Sequence, residues 1–206
     1  MFSPVAESGR TDFVQPQPPR RTTHAHGTAN NRLMYDRWGR FGRPVVLLHG
    51  LFYDRTMWWP VAAELDGNCA AVAVDLPGHG ESPARDVHDL SRLTRDLATL
   101  VSGLDLHRAP VLVGHGESAL LARAFAERYA VQHVIALDGG ADADLSVVPE
   151  AYRQFAVRRT DPELSAAYRE WSGVPVGAAP SAHAAGGQFP HLRDPAGFAA
   201  LLHGLV

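Results

Sequence analysis

Four short apolar runs punctuate the chain, and each is stopped by a turn. Pro44-Val45-Val46-Leu47-Leu48 ends at His49-Gly50, and Ala70 to Val74 ends at Asp75. Pro110-Val111-Leu112-Val113 ends at Gly114, and His133-Val134-Ile135-Ala136-Leu137 ends at Asp138-Gly139-Gly140. Continuous apolar runs of this length mark strands buried on both faces. Arg32 to Trp38 reads as an earlier strand. Between the runs, Met57 to Leu65, Asp89 to Leu104 and Ala119 to Tyr129 carry apolar residues at helical spacing. Buried strands alternating with helices predict an α/β fold, a doubly wound and mainly parallel sheet with crossover helices. Residues 141–186 break the pattern. Pro149 to Trp171 has helix-like stretches interrupted at Pro162, Val174-Pro175-Val176 is a candidate strand, and Gly177 to Gly187 reads as a loop. Arg193 to Val206 resumes a helix, with Phe198, Leu201 and Leu202 on one face.

Composition narrows the class. The chain has 206 residues, 46% hydrophobic and 20% charged, the size and make-up of one globular domain. Residues 1–21, with Pro16, Pro18 and Pro19 and little apolar patterning, read as a flexible leader to a domain over 22–206. A formal net charge of −3 argues against nucleic acid as a partner. No apolar run approaches the ~18 residues of a membrane span, and no signal peptide is evident, so a cytoplasmic protein is expected. The one cysteine, Cys69, excludes an intrachain disulfide framework and a multi-cysteine metal site; no metal and no cofactor are expected. The string Gly-His-Gly-Glu-Ser occurs at 78–82 and again at 114–118 with unrelated flanks, and is read as coincidence.

In doubly wound sheets, ligands gather at the carboxyl ends of the strands. The tips here are His49-Gly50-Leu51-Phe52, Asp75-Leu76-Pro77-Gly78-His79-Gly80-Glu81-Ser82, Gly114-His115-Gly116-Glu117-Ser118 and Asp138-Gly139-Gly140. In order and spacing this set resembles the α/β-hydrolase superfamily, the branch of esterases, epoxide hydrolases, dehalogenases and C–C hydrolases. The resemblance covers about residues 30–140 and resumes at Gly187 to Pro195.

The resemblance also exposes what is missing. The family nucleophile stands at the centre of a G-x-S-x-G elbow; aligned on Val113-Gly114-His115, that position holds Gly116, and the motif's last glycine is Ser118. The family histidine precedes a Phe-Pro-His string, and that position holds Gln188. Glutamine cannot take and return a proton near neutral pH. Only 46 residues, 141–186, join Gly140 to Gly187, which implies a reduced cap and loss of a late strand with its acid. The resemblance leaves an oxyanion hole: backbone N–H groups of Leu51 or Phe52 and of Glu117, with the positive end of the following helix.

Each side chain also has a plainer reading. His49, His79, His115 and His191 fit packed turn positions, Asp75 fits a residue that fixes its turn by hydrogen bonds, and His183 fits a solvated loop. Asp138 is read evenly as an acid or a turn residue. Ser118 reads better as a helix-start residue than as a replacement nucleophile. Glu117 is the candidate acid or base, set against a carboxylate that merely favours a helix N-terminus.

Three functions follow as expectations. The first is a non-hydrolytic enzyme, a cyclase, isomerase or decarboxylase of an acyl or polyketide-like molecule, with Glu117 and Asp138 catalytic and Leu51, Phe52, Gly116, Glu117 and Ser118 about the ligand. The second is a dead scaffold that binds a ligand or partner. The third is an ester hydrolase with a rearranged triad, using Ser118 or Ser82 with His183 or His191. The expected partner is a small molecule with a carbonyl or carboxylate, and a homo-oligomer is expected to cover the surface that a full cap would hide.

Overall fold

The computed structural model describes residues 20–65, 69–139, 144–158, 161–168, 171, 182–184 and 188–206. Seven strands form one mixed sheet: β1 (Thr22–His26), β2 (Leu33–Trp38), β3 (Arg43–Leu48), β4 (Cys69–Val74), β5 (Val111–His115), β6 (His133–Leu137) and β7 (Ala182–Ala184). Their order is β1-β2-β4-β3-β5-β6-β7. β1 and β2 pair antiparallel, and β2 lies antiparallel to β4; from β4 through β7 every pairing is parallel. The four apolar runs are thus the four central parallel strands, all six residues of β4 and all five of β5 being buried.

Side-chain alternation splits each central strand between two cores. Val45, Leu47, Ala71, Ala73, Val111 and Val113 face one side, packed by helix α1 (Trp59–Glu64) and, from the chain's end, α6 (Pro190–Arg193) and α7 (Pro195–His203). Val46, Leu48, Val72, Val74 and Leu112 face the other, under α2 (Leu90–Gly103) and α3 (Ser118–Ala126). Leu90, Leu93, Leu97 and Leu100 make the buried stripe of α2, and the Asp89 carboxylate caps it by accepting from the Arg92 N–H at 2.7 Å.

The connection beyond β6 packs on both layers. Val148 and Ala156, beside the short α4 (Glu150–Arg153), join the first core. Tyr168, after α5 (Pro162–Ala167), and Trp171 join the second; the Tyr168 hydroxyl donates to the Pro77 carbonyl at 2.8 Å and the Trp171 indole to the His88 carbonyl at 2.6 Å. The connection therefore braces the loop after β4.

The helical stretches separate before Pro162, which starts α5; proline at the first helical position loses no bond, and Asp161 accepts from the N–H groups of Glu163 and Leu164. Two local readings need correction. The stretch 177–187, read as loop, contains β7, a three-residue strand aligned with Val134–Ala136; that pairing is supplied by β6, and three residues are too few to show a period. A late strand is thus retained there, whereas Val174-Pro175-Val176 lies outside the described residues. β1 was also not foreseen: its residues are polar and exposed on an edge, and they pair with Leu33–Arg37.

One charged cluster fixes the strand tips. Arg55, in the turn before α1, extends its guanidinium between the fully buried carboxylates of Asp36 on β2 and Asp75 at the end of β4. Asp36 lies 3.1 Å from Nε, Asp75 is closer still, and Glu81 meets Nη2 at 3.1 Å. Asp75 also accepts from the backbone N–H groups of Arg55 at 2.8 Å and Glu81 at 2.9 Å. Burial pushes the Asp75 carboxyl up, and these donors oppose the rise without cancelling it. Burial alone would lower the Arg55 guanidinium; Asp75 and Asp36 reverse that and raise it. Removing one partner of a buried pair costs about 3–5 kcal/mol, because the others are left desolvated and unpaired. Arg55→Ala should therefore lower the stability measured by urea denaturation at pH 7 by about that amount, and an unchanged midpoint would show that the cluster does not hold the tips.

Candidate active site

The site lies at the carboxyl ends of β3, β5 and β6. Leu48 is level with Gly114, and His115 with Leu137, so the residues that follow these strands converge. The chain leaves β5 through Gly116, whose φ of 58° lies in the left-handed region that only glycine occupies without strain. The Gly116 N–H donates to the Leu137 carbonyl at 2.9 Å, which draws the tips of β5 and β6 together. A Cβ built on Gly116 would run into the backbone carbonyl oxygen of Gly139, nearer than real Cβ atoms come. The volume a nucleophile's side chain would need is thus taken by main chain.

Beneath this turn lies a knot of rings. His115 is fully buried, and a Cβ on Gly139 would strike its imidazole, so glycine at 139 lets the β6 tip close over the ring. Phe189 stacks on His115 with centroids 5.2 Å apart, Tyr53 meets it edge-on at 5.5 Å, and His191 meets it edge-on at 5.5 Å. His191, also fully buried, leans against Trp58 at 4.3 Å. Neither ring nitrogen of His115 or of His191 has a hydrogen-bond partner among the described residues. Burial holds His115 down at about 4, and burial with the neighbouring His115 keeps His191 well below its ordinary value.

The loop after β3 is pinned by two further histidines. His49 accepts the Leu76 N–H on Nε2 at 3.0 Å and donates from Nδ1 to the Gly50 carbonyl at 2.9 Å. His79 donates from Nε2 to the Leu51 carbonyl at 2.9 Å. Burial lowers both rings, so they serve as neutral struts between the tips of β3 and β4. The backbone N–H groups of Leu51, Phe52 and Glu117 make no hydrogen bond among the described residues.

Residues 45–203 match the sequence profile described as "Alpha/beta hydrolase family". The chain belongs to that family. A dihydrolipoyllysine-residue acetyltransferase component of the acetoin cleaving system from Pseudomonas putida is 34% identical over 116 residues, 54% of this chain and 29% of that protein. A 2-succinyl-6-hydroxy-2,4-cyclohexadiene-1-carboxylate synthase from Salmonella paratyphi B is 44% identical over 68 residues, 31% of this chain and 26% of that protein. Among solved structures, epoxide hydrolase A from Mycobacterium thermoresistibile superposes with a TM-score of 0.50 and 28% identity, over 56% of this chain and 39% of that one. The match spans less than a third of either sequence relative.

Set on this α/β-hydrolase frame, the expected site residues fall into distinct places. Leu51, Phe52, Gly116 and Glu117 converge at the tips of β3 and β5. Ser118 is fully buried and its hydroxyl donates to the His49 carbonyl, a short bond that ties α3 to β3. Ser82 is likewise occupied, donating to the Asp75 carbonyl at 2.8 Å and accepting the Met34 N–H at 2.9 Å. Gln188 accepts the backbone N–H of Asp144 at 2.6 Å, and so tethers the start of the connection that follows β6. Asp138 is exposed at the tip of β6. Of His183 only the backbone, within β7, is described.

Glu117 stands just before α3 and makes no side-chain cap bond. One of its carboxylate oxygens, Oε2, is sealed from solvent with no hydrogen-bond partner among the described residues. Its charge acts on the Tyr53 phenol, which is raised first by burial, lowered by Arg158 and raised by Glu117. Sequence reasoning missed Arg158, which lies 5.6 Å over the Phe52 ring, because an arginine in an aperiodic stretch carries no local signal.

The two buried histidines set an acid limit. Both stay neutral in the fold, whereas in the unfolded chain each takes a proton near the ordinary histidine value of about 6.5. Their contribution is therefore intact above that pH and is lost as pH falls toward about 4, on the order of 3 kcal/mol for His115 alone. His191→Phe removes one titrating ring from an apolar setting. Its stability measured by urea denaturation should fall less between pH 7.5 and 5 than that of the unaltered chain; an equal fall would remove His191 from the account.

Proposed function

We propose that this chain is a non-hydrolytic α/β-hydrolase-fold enzyme that holds a small molecule bearing a carbonyl or carboxylate at the tips of β3 and β5. The observation that carries this reading is the Glu117 carboxylate: one oxygen is sealed from solvent with no hydrogen-bond partner among the described residues, which is costly unless a ligand donor or acidic proton meets it. In this reading a substrate carbonyl oxygen accepts from the N–H groups of Glu117 and of Leu51 or Phe52. The Glu117 carboxylate removes a proton from the adjacent carbon, the electron pair moves onto that oxygen, and the N–H groups and the N-terminus of α3 stabilise the enolate. Return of the proton at another carbon completes an isomerisation. Cyclisation or decarboxylation of an acyl compound would use the same stabilised enolate. Asp138, exposed nearby, is a second acid in this scheme. A homodimer would cover apolar side chains left outside by the reduced cap, of which Val157 is the most exposed, at 61%.

The second reading, a scaffold that binds without turnover, is favoured by the Gly139 carbonyl standing where covalent chemistry would occur. Exchange of α-hydrogens of carboxylate-bearing ketones in D2O, followed by NMR, separates the two. The enzyme reading predicts catalysed exchange that falls on the order of a hundredfold or more in Glu117→Gln, with little change in stability. Binding of the same ketones without exchange would favour the scaffold. Restoring a hydroxyl by Gly116→Ser should lower stability, because the new Cβ meets the Gly139 carbonyl at positive φ, and should produce no esterase activity, because Gln188 cannot activate it. Efficient ester turnover by that variant would return the chain to ordinary hydrolase chemistry.

A further inference from the structure

The antiparallel pair β1–β2 has two unlike faces, which follow from the period-two alternation of its strands. One face carries Thr23 and Asp36, joined by a 2.6 Å hydrogen bond, with Arg21 3.8 Å from the same carboxylate. The other face carries Thr22 opposite Arg37 and His24 opposite Tyr35. There a hollow of about 580 Å³ is lined by Arg20, Thr22, His24, Arg37, Gly39 and Arg40. Among the described residues three arginines and no carboxylate border it, although the chain as a whole carries a net charge of −3.

The hollow has one fixed guanidinium and two exposed ones. Arg37 is half-buried, and its Nε and Nη2 donate to the carbonyls of Gly39 at 3.0 Å and Arg40 at 2.9 Å, which sets the plane of the guanidinium and leaves donors over. Arg20 and Arg40 are exposed on either side. Among the described residues none of the three forms an ion pair, whereas Arg21, Arg55 and Arg85 each meet a carboxylate. The Thr22 hydroxyl and the His24 ring, 2.8 Å apart, add polar groups to the wall. The position is also separate from the candidate active site. β1 and β2 form one edge of the sheet, and β4 stands between them and the tips of β3 and β5.

We propose that this hollow is a binding site for a small polyanion of the phosphate type, with more than one negative charge. Planar guanidinium forks match phosphate oxygens, and a volume of this size is that of a small-molecule site, with room for a diphosphate and part of the group that bears it. The proposal is independent of Glu117 and of any chemistry at the strand tips.

Isothermal titration with inorganic pyrophosphate at constant ionic strength tests it, on the unaltered chain and on Arg20→Glu, Arg40→Glu and the exposed, remote Arg92→Glu. One-to-one binding is expected, weakened about tenfold or more by each of the first two changes, as loss of a charge-assisted contact requires, and unaltered by the third. No saturable binding would overturn the proposal. Binding that survives both Arg20→Glu and Arg40→Glu, or that falls equally in Arg92→Glu, would also overturn it, since the anion would then be held elsewhere or only by general charge.

Discussion

The hydrogen bond from the Gly116 N–H to the Leu137 carbonyl draws the ends of β5 and β6 together, and much of the site depends on it. With the two tips this close, the Gly139 carbonyl stands where a side chain at position 116 would begin. The same closure lays Gly139 over the His115 ring, and His115 in turn packs on Phe189, Tyr53 and His191. Glycine at 116 and at 139 is therefore one geometric unit. A β-carbon at either position would collide with the other strand's tip or with the ring beneath it. The space beside position 116 is filled by main chain.

Around that turn, the residues weighed as site candidates make structural contacts. Gln188 holds the start of the connection through the Asp144 N–H. Ser118 and Ser82, the alternative nucleophiles, have their hydroxyls bound to carbonyls within the turns. The four buried histidines are neutral packing or bracing groups, lowered by burial. Glu117 is the exception, with a sealed carboxylate oxygen that none of the described side chains satisfies. The Arg55 cluster locks the turns after β3 and β4 through Asp75, and β2 through Asp36.

The central strands and the two main helices were legible because their periods are local. Val45–Leu48 and Ala70–Val74 are apolar throughout, and Leu90, Leu93, Leu97 and Leu100 recur at helical spacing. The turn at Gly116 was legible from its motif. What sequence could not show depends on partners far along the chain. β1 is a polar edge strand that exists by pairing with β2, and β7 exists by pairing with β6. Asp75 read as a turn residue, and it is one; its ion pair with Arg55 and the nearby Asp36 joins residues 20 and 39 positions away in sequence. The carbonyl of Gly139 beside Gly116 is a main-chain placement, invisible to any reading of side-chain types.

The proposed function requires that none of the described side chains at the strand tips serves as a covalent nucleophile. Intact-mass measurement after prolonged exposure of the folded protein to an excess of a fluorophosphonate tests it most directly. The account predicts an unshifted mass, because position 116 offers no oxygen and the hydroxyls of Ser82 and Ser118 are buried and bonded. Stoichiometric addition of one phosphonyl group, mapped to Ser82 or Ser118, would contradict it.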